Sequence, residues 1–328
     1  MQVSQIIHKI FNDLSSDTFE SLAIDIFQYQ AKSNVVYNNY IKALKIAPES
    51  IDNLEKIPFL PIEFFKTHPI RTGEFSDGIV FTSSGTSGMA TSRHHVKDIE
   101  IYKKSFLTSF YKFYGDPAGY VIYGLLPSYL ERTGSSLIMM VDELIRQSGN
   151  ADSGFFLDDH QTLAKKLLEN EKNNKENLLI GVTFALLRFA EEYPMALKNT
   201  IIMETGGMKG RGEEIIREQL QSRLANAFQC KNIHSEYGMT ELLSQAYSNN
   251  NGKFNCPPWM NVRVRDTTDP LSHSKGGKGA LNIIDLANIH SCAFIATQDL
   301  GIVNEDGSFE VSGRFDHADI RGCNLLVL

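Results

Sequence analysis

The sequence is short of cysteine, of tryptophan, of basic charge and of long apolar runs, and each shortage removes a class of protein. Its four cysteines, Cys230, Cys256, Cys292 and Cys323, lie far apart with no C-x-x-C pair. That spacing excludes the common zinc motifs, and a chain this large does not need a disulfide framework. Reduced thiols in a cytoplasmic protein fit best. No apolar run approaches the ~18–20 residues of a membrane span. The N-terminus lacks the basic-then-apolar order of a signal peptide. Lys and Arg number 32 against 39 Asp and Glu, a net charge of -7, which argues against a nucleic-acid partner bound over a broad surface. A small anion held by backbone amides remains compatible with that charge.

What is present is a chain of 328 residues with 42% hydrophobic and 22% charged residues, ordinary for a globular enzyme and too long for one comfortable core. Val3, Ile6, Ile7, Ile10, Phe11 and Leu14 recur at helical spacing, as do Phe19, Leu22, Ala23, Ile26 and Phe27. The opposite face is not rich in Lys and Arg, so packing on a core or as a lid is expected rather than a membrane surface. Two prolines in Ile57-Pro58-Phe59-Leu60-Pro61 force extended chain. From Gly78 the pattern is α/β, with strands expected at 119–126, 178–183 and 201–204 and helices at 135–145, 185–192 and 213–228. Such alternation predicts a mostly parallel sheet. After Asn249 the text is strand-and-turn rich, with a Gly276–Gly279 turn and a hairpin around Asn304–Gly307. The expected divisions are a helical region 1–77 packed on the core, an α/β nucleotide-binding core 78–248, and a β-rich subdomain with C-terminal tail 249–328.

Three constellations carry chemistry. Phe81-Thr82-Ser83-Ser84-Gly85-Thr86-Ser87-Gly88 follows a short apolar run. Its glycines let backbone N–H groups converge, and its hydroxyls suit phosphate oxygens. It lacks the G-K-[ST] ending of a Walker loop, and a plain Ser/Gly connector is the alternative. Glu236-Tyr237-Gly238-Met239-Thr240-Glu241 offers a ring to stack on a purine, a hydroxyl for a phosphate and a carboxylate for magnesium. The alternative is a strand end running into a helix. Gln298-Asp299-Leu300-Gly301, followed by Gly313-Arg314-Phe315-Asp316, offers a carboxylate for two ribose hydroxyls and a guanidinium beside them; alone, D-x-G before a hairpin is a turn.

In this order, with Thr205-Gly206-Gly207 between the first and second, the set resembles the adenylate-forming superfamily of acyl and aryl ligases. The resemblance covers roughly residues 57–323. Within the superfamily the chain is most similar to the acyl-protein synthetase branch, through its length, the lead-in IPFLPIEFFK, the string ETGGMKG and the ending Arg321-Gly322-Cys323-Asn324-Leu325. The resemblance implies an α/β fold: a large N-terminal adenylate-forming domain with mostly parallel sheets and helices plus a β-rich subdomain, lacking most or all of the usual C-terminal domain.

It further implies that Ser83, Ser84, Thr86 and Ser87 hold phosphates, that Gly206, Gly207 and Tyr237 border adenine with Gly238 in the same ATP- or AMP-binding set, that Thr240 serves the α-phosphate, that Glu241 holds Mg2+, and that Asp299 and Arg314 hold the ribose of ATP or AMP. Cys323 matches the family's acylated cysteine, and Lys209, beside the glycine pair, is the nearest substitute for the catalytic lysine of the family's C-terminal domain. Arg93 takes the place of a loop-following lysine, and Gln298 that of a glycine. The implied activity is ATP-dependent activation of a carboxylic acid, a fatty acid by the resemblance, to an acyl-adenylate. Transfer to a protein cysteine would follow, with a fatty acyl reductase or acyl-carrier partner downstream. A phenylacetate-type ligase acting on coenzyme A and a non-catalytic nucleotide-binding subunit of a reductase are the alternatives.

Overall fold

Two units, Met1–Glu74 with Pro258–Leu328 and Phe75–Pro257, make up the chain, and the computed structural model describes residues 3–12, 14–83, 91–126, 134–156, 159–206, 216–267, 269 and 271–314. The first unit begins with α1 (Val3–Asn12), whose Ile6 and Ile10 are buried one turn apart, as the helical stripe requires. Burial of an aliphatic side chain of that size is worth about 1.5–3 kcal/mol. Ser15 and Thr18 form a reciprocal capping box that starts α2 (Ser16–Ser33). Asn34 then caps α3 (Val35–Ala43) through the Tyr37 N–H. The proline-bounded lead-in is extended and supplies the two-residue strand β1 (Leu60–Pro61), followed by the short helix α4 (Phe64–Thr67).

The second unit opens on the antiparallel pair β2 (Ile79–Thr82) and β3 (Arg93–Val96), in register from Ile79 opposite Val96 to Thr82 opposite Arg93. Asp98 caps α5 (Ile99–Tyr114). An alternating series follows: β4 (Val121–Leu125), α6 (Ser136–Ser148), β5 (Gly154–Phe155), α7 (His160–Lys172), β6 (Asn177–Val182), α8 (Thr183–Glu192), β7 (Thr200–Thr205), α9 (Arg217–Phe228), β8 (His234–Tyr237) and β9 (Ala246–Ser248). Its sheet order is β5-β4-β6-β7-β8-β9, parallel throughout except for the last pair. Every residue of β4 and β6 is buried. Strands buried on both faces carry near-continuous apolar runs, which is why these read so plainly from sequence. The parallel strands therefore discharge their following loops along one edge, where α/β folds bind ligands.

The chain completes the first unit with β10 (Met260–Arg265), β11 (His273–Ser274), β12 (Gly277–Asp285), β13 (Phe294–Val303) and β14 (Phe309–Arg314). Their sheet runs β1-β13-β12-β10-β11, with β14 also on β13. Strand β13 changes neighbour along its length: Ile295 and Ala296 pair with β1, and Asp299 to Val303 pair with β14. The expected hairpin closes through Asn304, whose N–H bonds the Ser308 carbonyl at 2.8 Å. The N-terminal helices are fastened to this sheet by polar side chains as well as apolar ones. Buried Gln30 donates to the carbonyls of Asn288 and Ile289 at 2.9 and 3.1 Å and accepts the Ala293 N–H at 2.9 Å. A buried amide is tolerated when its hydrogen-bonding capacity is met, and here it stitches the helix to the turn before β13. Among the described residues no helix is long and apolar enough to cross a membrane.

Candidate functional site

The glycine pair and the tyrosine box lie at the ends of adjacent parallel strands. Register sets Met203 against His234, Glu204 against Ser235 and Thr205 against Glu236, so the next residues, Gly206 and Tyr237, emerge side by side. Gly206 turns the chain with a φ of +69°, a conformation that favours glycine. Its carbonyl accepts the Thr183 hydroxyl at 2.6 Å. The Thr205 hydroxyl donates to the Glu236 carboxylate. A Cβ on Gly238 would run into that same Glu236 carboxylate, so a bare backbone is needed there while Glu236 keeps its place.

Beneath these turns lies a second polar layer. Arg217 donates from Nη1 to Glu204 Oε1 at 2.8 Å and to Ser235 Oγ at 3.3 Å. Burial raises the Glu204 carboxyl above its usual range, opposed by Arg217 and its hydrogen-bond donors. An ion pair that closes over a carboxylate at strand ends fixes their spacing at the point where the loops leave.

The turn after Tyr237 carries half-buried Thr240 and buried Glu241. The Thr240 carbonyl accepts from His94 Nδ1 at 2.8 Å, and a carbonyl can only accept, so Nδ1 carries the imidazole proton. His94 stands on β3, directly after the serine-rich segment. At the near end of that segment, Ser83 N–H bonds the Ser92 carbonyl at 3.2 Å and Ser92 N–H bonds the Ser83 hydroxyl oxygen at 2.9 Å. This reciprocal pair ties the chain just after β2 to the chain just before β3. The Ser83 hydroxyl oxygen thus already serves the fold. Arg93, opposite Thr82, is exposed.

In the other unit Asp299 and Arg314 are register partners across β13 and β14, with Arg314 Nε 3.7 Å from Asp299 Oδ1. The Asp299 side chain is 15% exposed and Arg314 65%, so the carboxylate is the sheltered member. Residues 298–301 lie inside β13 rather than in a turn before the hairpin, because the strand passes from β1 to β14 at this point. Gln298 fills the seam and donates to Glu63 Oε1 at 2.6 Å.

Ser84, Thr86, Ser87, Gly207, Lys209 and Cys323 lie outside the described residues. Within the second unit the structure brings together Ser83, Gly206, Tyr237, Gly238, Thr240 and Glu241. Sequence reading missed His94, Glu204 and Arg217. The doubled histidine after the loop was the available signal for the first. The other two were hidden because their link depends on strand register.

The fold as a whole is that of adenylate-forming ligases. An open form of 2-hydroxyisobutyryl-CoA ligase, in complex with 2-HIB-AMP and CoA, superposes with a TM-score of 0.63 over 94% of this chain and 78% of its own, at 12% identity. An ATP-bound RpMatB-BxBclM chimera superposes with a TM-score of 0.53 over 74% of this chain, at 14% identity; the match spans 49% of the chimera, about half its length.

In sequence the chain resembles two curated long-chain-fatty-acid–luciferin-component ligases over most of their length, which bears out the acyl-protein synthetase resemblance. The Vibrio harveyi enzyme is 24% identical over 326 residues, covering 91% of this chain and 84% of its own. The Aliivibrio fischeri enzyme is 24% identical over 303 residues, covering 87% and 79%. No protein-family model matches the chain.

Proposed function

We propose that this protein activates a long-chain fatty acid with ATP and passes the acyl group to a protein thiol. The observation that carries the reading is the hydrogen bond from His94 to Thr240, which ties the strand after the phosphate loop to the adenine and phosphate turn beside Gly206 and Tyr237. The names of the two curated relatives supply the acid class.

The substrate carboxylate oxygen attacks the α-phosphorus of ATP, the α–β anhydride bond breaks and pyrophosphate leaves. Tyr237 and Gly206 border the base, Thr240 donates to the α-phosphate, and Asp299 with Arg314 holds the ribose. Glu241 is a buried hard-oxygen donor next to Thr240, the ligand type that suits Mg2+. When bound, that ion neutralises charge on the phosphates. Holding carboxylate and triphosphate in line supplies the main rate gain, and loop donors stabilise the charge that develops. In the second step a thiolate attacks the acyl carbon, the bond to AMP breaks and a thioester forms. Cys323 is the proposed acceptor, with a fatty acyl reductase taking the acyl group onward.

The test is acid-dependent ATP–pyrophosphate exchange across a panel of short, long and aromatic acids, with mass spectrometry of the labelled protein. Exchange with long-chain acids and acyl label on Cys323 is expected. The Cys323→Ser protein should exchange but hold no hydroxylamine-sensitive label. Absence of exchange with every acid defeats the activation reading. Exchange with all label passing to coenzyme A and none to protein defeats the thiol assignment.

A further inference from the structure

We propose that Arg217 is a positioning residue for Tyr237, acting through Phe254; this rests on the reading of Tyr237 as the ring that borders adenine. Arg217 sits at the start of α9 and is fixed from two sides. Its Nη1 bonds Glu204 on β7 and Ser235 on β8, and those two residues are themselves register partners. The guanidinium is thereby bolted to both strands that end in the site.

Its face is turned to an aromatic ring. The guanidinium carbon lies 5.1 Å from the centroid of Phe254, within the range of cation–π attraction. Phe254 is 1% exposed and its ring centroid is 5.7 Å from that of Tyr237, tilted by 58°. Ser235 and Tyr237 are two residues apart on β8, so their side chains share one face of the sheet. Arg217, Phe254 and Tyr237 thus form a stack with its foot on the central strands and Tyr237 at its tip.

Two further observations separate this from an ordinary ion pair. Arg217 Nε is buried with no hydrogen-bond partner among the described residues, so the guanidinium spends its in-plane donors on Glu204 and Ser235 and its face on the ring of Phe254. A Cβ on Gly252, which has a φ of +66°, would collide with Arg217 Cδ. The turn before Phe254 is therefore shaped to close on the arginine stem. Lysine keeps the charge on a point and lacks the planar face, so it would preserve the pair with Glu204 and lose the stack.

The experiment is exchange kinetics on Arg217→Lys, Phe254→Leu and the double variant, with thermal unfolding of each. Each single change should raise the KM for ATP about tenfold, with kcat and the KM for the acid little changed. The double variant should be no worse than either single, because both remove one stack. An unchanged KM for ATP in folded single variants overturns the inference, and so do effects that multiply in the double. Should Arg217→Lys not fold, Arg217→Met with Glu204→Gln removes both charges together and reads the same KM. A wild-type protein that neither exchanges nor binds ATP by calorimetry overturns the functional reading itself, and the inference with it.

Discussion

His94 and Thr240 are 146 positions apart in sequence, and the imidazole Nδ1 lies 2.8 Å from the threonine carbonyl. One residue belongs to the strand that leaves the serine-rich loop, the other to the turn that carries the proposed α-phosphate hydroxyl. His94 is wholly buried, so the bond is sheltered from water and from competing donors. The His94→Leu variant would leave the carbonyl without this donor, a loss of about 1–3 kcal/mol. Exchange kcat should fall roughly tenfold, with smaller changes in the KM for acid. His94→Asn can place an amide N–H near the same point and should recover most of the rate. Wild-type exchange by a folded His94→Leu protein would show that the histidine only fills space.

Asp299 is the sheltered partner of Arg314, and the ribose role assigned to it predicts a specific loss. Asp299→Ala removes the acceptor for two hydroxyls, which costs on the order of 1–3 kcal/mol. The KM for ATP should therefore rise roughly tenfold to a hundredfold while thermal stability stays close to wild type. An unchanged KM would reduce the Asp299–Arg314 pair to a cross-strand contact that holds the hairpin.

How much of this was readable beforehand differs by element. The strand expected at 178–183 is observed at Asn177–Val182, since a run of Leu, Leu and Ile flanked by helical text has few alternatives. Its first residue escaped notice because Asn177 is polar and yet fully buried. Its amide is met by the Lys175 carbonyl at 2.9 Å and the Thr200 hydroxyl at 3.3 Å. The hairpin around Asn304–Gly307 was legible from turn residues, and it alone brings Asp299 near Arg314. That 298–301 would lie within a strand was not legible, because the reason is a change of strand partner on β13. Arg217 and Glu204 escaped for a similar reason: nothing in their spacing of 13 signals contact until the sheet order is known.

Glu241 is 6% exposed, and a charge buried to that degree calls for a partner or a metal. If it holds the magnesium that accompanies ATP, Glu241→Gln should lose magnesium-dependent exchange while the far-ultraviolet circular dichroism is unchanged. Raising magnesium should not rescue the rate, since the amide lacks the charge that competes for the ion. Wild-type exchange at wild-type magnesium concentrations in this variant would remove the metal from Glu241.

The last prediction concerns acid stability and rests on His273. Arg263 Nε donates to its Nδ1 at 3.0 Å, and its Nε2 lies 3.2 Å from the Ile57 carbonyl. The Nδ1 is therefore an acceptor and Nε2 the donor, which describes a neutral ring. Burial first, and then the positive charge of Arg263, push its pKa down from 6.5 to about 4. Between those two values the unfolded chain takes up a proton that the folded chain refuses, so stability falls as pH drops through that window. It is fully present above about 6.5 and gone below about 4. Protonation at Nδ1 would also set an N–H against the N–H of Arg263, whose side chain is 1% exposed and whose other partner is Glu55 at 2.7 Å. A His273→Gln variant has no group to titrate there. The difference in melting temperature between wild type and His273→Gln should shift against the wild type as pH falls from 6.5 to 4 and stay constant above that range. Parallel curves across the window would show that His273 keeps its ordinary pKa in the folded protein.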